Sequence, residues 1–161
     1  MNHGDWGEGP WNEEDDHAVW VDEVTGLDCM INRGPSGALC GYVGVGPDHP
    51  LHGKQYCTAE TDHLDVHGSL TYSQACQGEI CHVPEPGREH DIWWFGFDCA
   101  HAFDVTPKMD ADLRELRTRV PDFPELTLHS IDPRLRSTYK DWAYVVNEVE
   151  GLARQLWVMA P

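Results

Sequence analysis

The chain has 161 residues, with 28 Asp and Glu against 11 Lys and Arg, for a formal charge of −17. Hydrophobic residues make up 40%, and seven Trp are present, so a packed core is expected and global disorder is excluded. No apolar run reaches 18 residues, which argues against a transmembrane helix, and the acidic balance argues against direct binding of nucleic acid or an anionic membrane.

The charge is unevenly spread. Residues 1–107 hold 19 acids and three bases (Arg33, Lys54 and Arg88), or −16, whereas residues 108–161 hold nine acids and eight bases, or −1. All six cysteines and every histidine but His129 lie in the first part. The boundary near Thr106-Pro107 reads as a change of role within one α+β domain spanning 21–161, divided into a His/Cys-rich sheet part, 21–107, and a helical part, 108–161.

Residues 1–20 read as an irregular acidic arm. Glu13-Glu14-Asp15-Asp16 form a solvated coat there, and Trp6, Trp11 and Trp20 are candidate anchors onto the body. The N-terminus is acidic and lacks an apolar stretch, so it does not read as a secretory signal, and a cytoplasmic setting is expected. Gly34-Pro35-Ser36-Gly37 lacks the Lys of a phosphate-binding loop and reads as a turn. A strand is expected over 38–45, with a loop over 46–53 after it that leaves His49 and His52 exposed.

Leu64, Val66, Leu70 and Tyr72 alternate with Asp65, His67, Ser69 and Thr71, the pattern of a half-buried strand. Pro84, Pro86 and Gly87 mark another loop. Ile92 to Asp98 is apolar on both faces and should be a central strand, with Trp93 and Trp94 as core and one of them available to stack on a ligand. A short helix over 108–119 turns Leu113 and Leu116 inward, and Pro121 and Pro124 interrupt regular structure beyond it. The last helix is capped by Thr138, with Asp141 at its third position. Tyr139, Trp142, Val145 or Val146, Val149, Leu152 and Leu156 form its packing stripe. The expected fold is therefore a mainly antiparallel sheet with a long C-terminal amphipathic helix packed on it.

Cys29, Cys40, Cys57, Cys76, Cys81 and Cys99 default to free, mostly buried thiols in a reducing compartment. Cys76, Cys81 and His82 form a half-site that could hold structural zinc, with a local disulfide as the lesser alternative. Two other constellations carry chemistry: Asp65 with His67, and Asp98, Cys99 and His101 with Asp104. Carboxylates and imidazoles at strand ends suit a divalent cation such as zinc on His67, Asp98 and His101, or a metal-free pair in which a carboxylate orients an imidazole. Asp65, Cys99 and Asp104 stand in support, and Trp94 or Tyr72 could wall the pocket. A third reading makes Cys99 or Cys40 a nucleophile activated by His67 or His101. Asp98 also has a plain alternative, capping the next turn through its carboxylate.

The segments Leu39 to Val45, His49 to Gly53, Val66 to Tyr72, Ile80 to Pro84, Trp93 to His101 and the helix 144–156 together resemble a group of small proteins of tailed bacteriophages and prophages, over about residues 25–157. In that group a second Gly usually stands where this chain has Ser69. The resemblance implies work in a bacterial host cytoplasm during infection and carries over no catalytic residue. Three functions are expected on these grounds. The first is binding of a small polar, nucleotide-like ligand by His67, Asp98, His101, Asp65, Trp94 and Tyr72, as counter-defence by sequestration. The second is metal-dependent hydrolysis by the same Asp/His cluster. The third is inhibition of a host protein by an acidic surface that mimics nucleic acid.

Overall fold

A computed structural model describes residues 3–81, 91–120 and 137–160. Five strands form one sheet: β1 (His17–Val21), β2 (Asp28–Arg33), β3 (Leu39–Val45), β4 (Tyr72–Ala75) and β5 (Trp93–Asp98). Their order is β1-β2-β3-β5-β4, and every pair is antiparallel. Among the described residues two α-helices accompany them, α1 (Pro107–Arg119) and α2 (Trp142–Trp157), so the architecture is α+β. No described helix is long and apolar enough to cross a membrane.

Strands β3 and β5 are interior and covered on both faces, which is why their sequences are continuously apolar. β5 lies between β3 and β4, and β3 holds the middle position. One face of the sheet presents Cys29, Ile31, Val43, Phe95 and Phe97 to α2, whose Val145, Val149, Leu152 and Leu156 are fully buried against them. Each such aliphatic side chain contributes about 1.5–3 kcal/mol by leaving water. Gly41 lets the helix approach: a Cβ there would meet Val149 Cγ2 at 2.5 Å and the Phe97 ring at 2.6 Å. The other face carries a second cluster of Met30, Tyr42, Ile92 and Trp94, bordered by Tyr72.

The chain from Leu64 to Leu70 is not a strand. Gly68 and Ser69 both take positive φ, +67° and +82°, and a reversal of that kind cannot sit in a ladder. Leu64, Val66 and Leu70 are nevertheless buried, so the segment keeps the apolar alternation while running as a loop, and β4 begins at Tyr72. The cap of α2 also differs from expectation. Asp141 is the N-cap and accepts from the Tyr144 amide at 2.9 Å, whereas Thr138 bridges to Asp104 in the preceding segment. On α1, Leu113 is half-buried and Leu116 is 38% exposed; the helix packs on the turn at residues 4–6, and its Lys108 and Met109 amides donate to the Ser36 carbonyl. His49 is buried: its Nδ1 accepts from the Leu51 amide at 3.1 Å and its Nε2 donates to the Leu156 carbonyl at 2.9 Å, closing the end of α2. His52 is half-buried, with Nε2 3.2 Å from the Asp91 carbonyl oxygen. The loop expected at Pro84 to Gly87 and the interruptions at Pro121 and Pro124 lie outside the described residues.

The arm expected to be irregular over 1–20 has regular structure, with 3-10 turns at Gly4–Trp6 and Pro10–Asn12 and residues 17–20 in β1, and its acids are more than a coat. Glu13 and Asp15 are exposed, but Glu14 and Asp16 turn onto Arg33, whose side chain is wholly buried. Its Nε donates to Asp16 at 2.7 Å and its Nη2 to Glu14 at 3.0 Å, while Nη1 donates to the Gly37 carbonyl and the Tyr139 hydroxyl. Glu14 also accepts from the Trp142 amide at 2.9 Å, at the start of α2. Trp6 is buried, Trp11 packs edge-on to Tyr139 at 5.1 Å between centroids, and Trp20 borders the main core.

Removing a buried charge that two partners depend on costs about 3–5 kcal/mol. Arg33→Met should therefore lower unfolding stability by about 3 kcal/mol in a urea titration, the low end because Asp16 keeps partial contact with water. Burial works to raise the Asp16 carboxyl, but hydrogen bonds, those from Arg33 and His3 among them, hold it below its ordinary value of 3.8. Its contribution is complete above about pH 4 and disappears as pH falls through the lowered value. Asp16→Asn should flatten the acid limb of the stability curve. An unchanged limb would contradict this assignment.

Candidate metal centre

β5 ends at Asp98, and Cys99 follows it into the core, its amide bonded to the Leu39 carbonyl. A turn then closes from His101 to Asp104: the Asp104 amide donates to the His101 carbonyl, and the His101 amide donates to Asp104 Oδ2 at 2.9 Å. Backbone bonds on either side, Val105 N–H to Thr138 and Thr138 N–H to Phe103, fasten this turn beside the entry to α2.

His67 reaches the same place from the 64–70 loop, which α2 holds along one face. Gln155 accepts from the Asp65 amide and donates to the Asp65 carbonyl, both at 2.8 Å. Glu148 accepts from the His67 amide at 2.7 Å. Tyr144, Glu148 and Gln155 lie four and seven residues apart, so they form one stripe on the helix.

At the centre, His67 Nε2 donates to Asp104 Oδ2 at 2.7 Å, and the Tyr144 hydroxyl donates to His67 Nδ1 at 3.1 Å. The carboxylate only accepts, so it fixes the neutral ring as the Nε2–H tautomer. His101 packs edge-on to His67, ring centroids 5.3 Å apart, with Nδ1 3.4 Å from Asp104 Oδ2. That Nδ1 is buried and makes no hydrogen bond among the described residues. Gly68 gives His101 its room, since a Cβ at Gly68 would stand 2.1 Å from the imidazole.

Asp104 is 2% exposed. Burial works to raise its carboxyl, but hydrogen bonds from His67 and the His101 amide, with the charges of His67 and Lys140, hold it below the ordinary value. The ligand atoms of His67, His101 and Asp104 all lie within 4.8 Å of one another, the arrangement that a small cation requires.

The structure thus brings His67, His101 and Asp104 together, and Asp104 takes the place expected for Asp98. Along β5, Asp98 alternates with Phe97 and falls on the face of Trp94 and Gly96, away from α2. There it accepts from the Thr71 hydroxyl at 2.9 Å and the Ala100 amide at 3.0 Å, the capping role. Asp65 is exposed and serves through its backbone. Trp94 and Tyr72 belong to the cluster on the opposite face, so neither walls this site. Tyr144, Glu148 and Lys140 join the site without having been expected there. For Tyr144 and Glu148 the signal is a polar line along a helix whose other side is apolar, whereas Lys140 precedes the helix and has no such signal.

Cys29, Cys40 and Cys99 are poor candidates for a nucleophile. Burial pushes Cys29 up to about 12 and Cys40 up to about 11, and it drives Cys99 higher still. Cys76 and Cys81 are joined in a disulfide, so neither offers a thiolate to zinc, and His82 lies outside the described residues. Cys57 is free and exposed.

Ellman's reagent should therefore titrate one thiol rapidly in the native protein, and Cys57→Ser should abolish that phase. A second fast thiol would contradict the burial of Cys29, Cys40 and Cys99.

No protein-family model, curated protein or solved structure matches this chain.

Proposed function

We propose that the protein binds one divalent cation of the zinc class through His67, His101 and Asp104 and acts through that ion, holding a small polar ligand at the coordination position left open. The observation that supports this reading is the convergence of two imidazoles and a carboxylate on one point, with a buried Nδ1 of His101 that has no other partner. Leaving such a nitrogen unpaired costs about 1–3 kcal/mol, and a cation would satisfy it.

The donor set suits the ion. Two nitrogens and one carboxylate oxygen are zinc-type ligands, and three protein ligands leave a position for water or a bound molecule. Tetrahedral ligands at about 2.0–2.1 Å from zinc stand about 3.3 Å apart. The 2.7 Å and 3.4 Å separations from Asp104 Oδ2 lie close to that spacing, and all three ligand atoms fall within 4.8 Å of one another. His67 would take the other neutral tautomer, its one ring proton passing through solvent from Nε2 to Nδ1, and would then donate from Nδ1 to the Tyr144 oxygen, an outer-shell bond that fixes the ring.

A hydrolase would use the same ion to activate water. The setting in infection, and the nucleotide-like character of the ligand, rest on the resemblance to phage proteins. The nucleic-acid mimic draws less support, since Glu14 and Asp16 are spent on Arg33.

Elemental analysis of protein prepared without chelator, followed by zinc titration, tests the reading. One equivalent per chain is expected. His67→Ala, His101→Ala and Asp104→Asn should each weaken it by more than the roughly 10–100-fold typical of an outer-shell partner. Asp98→Asn should leave it unchanged, and Gly68→Ala should weaken it by displacing His101. Zinc bound equally well by all five variants would overturn the assignment.

A further inference from the structure

Lys140 introduces a feature that a cation site alone does not require. Its ammonium, 19% exposed, lies 3.8 Å from Asp104 Oδ1, on the other oxygen of the carboxylate that serves the two histidines. It is held there by the Thr138 hydroxyl at 2.7 Å and by the face of the Tyr144 ring, 5.2 Å from the centroid. A positive side chain beside a cation centre is unfavourable unless something negative joins them.

The local charges say what. Asp104 and Glu148 supply two negative charges, Lys140 supplies one positive charge, and neutral imidazoles supply none. A divalent ion turns that balance from one negative to one positive. Of the neighbouring carboxylates, Asp141 accepts from the Tyr144 amide at the N-cap of α2, and Asp98 faces the far side of the sheet.

We infer that the centre takes a small oxyanion, a phosphate or carboxylate group, with one oxygen on the cation and another on the Lys140 ammonium. Lysine serves such a group as a point charge with rotatable donors. This inference rests on the cation reading above and names the class of ligand for its open position.

Cobalt substitution separates the two. Cobalt(II) bound at the centre should give visible d–d bands, and their intensity reports ion binding independently of any anion. Adding inorganic phosphate, or acetate in a parallel arm, should shift those bands saturably, and the arm with the lower dissociation constant identifies the group. Lys140→Met, compared per equivalent of bound cobalt, should weaken the anion response at least ten-fold, and Lys140→Arg should restore most of it. Cobalt bands that ignore both anions, or an equal response in Lys140→Met, would overturn the oxyanion inference and leave the cation reading standing. Absence of cobalt bands in the unaltered protein would overturn both.

Discussion

A single buried guanidinium holds the two ends of the described chain to the sheet. Arg33 ends β2, and five bonds from its side chain reach the acidic arm, the β2–β3 turn and Tyr139. Burying a cation is costly unless nearly every donor is matched, and here all three nitrogens have partners. Because Glu14 also takes the Trp142 amide, the position of α2 is fixed by the same group that neutralises Arg33. The placement of His67 is in turn set by bonds to that helix.

α2 works on two sides. Its apolar stripe closes the sheet, and its polar stripe holds a loop that would otherwise have no fixed conformation. His67 is therefore placed by three separate bonds to the helix and to Asp104, and not by a strand. His101 and Asp104 are placed by a turn fastened to the chain just before α2. Such a centre is as rigid as the packing of the helix, the support that a site of this kind needs.

The sequence reveals most where burial is continuous. β3, β5 and the stripe of α2 are legible because their apolar runs have the right length and period. The 64–70 segment is misleading for the same reason: alternation reports which side chains are buried, and it is silent about the positive φ at Gly68 and Ser69. The candidate cluster is partly legible in position. The structure brings the expected His67 and His101 together, but counting faces along β5 puts Asp98 on the other side, and the carboxylate beside the imidazoles is Asp104 in the next turn. Glu13 to Asp16 look like one acidic run, yet alternate members face water and Arg33. A lone arginine in a strongly acidic field is the clue to that pairing.

The contacts that build the centre also set its timing. His67 meets Glu148 and Tyr144 across 81 and 77 residues, and Arg33 meets Tyr139 across 106. Contacts of such long range form late, because the loop between them must close before they repay its entropy. During synthesis the sheet strands are complete well before α2 emerges, so a chain with its strands already made still lacks any means of holding His67. The cluster of His67, His101 and Asp104 thus depends on contacts of long range, and its assembly reports that α2 has closed on the sheet.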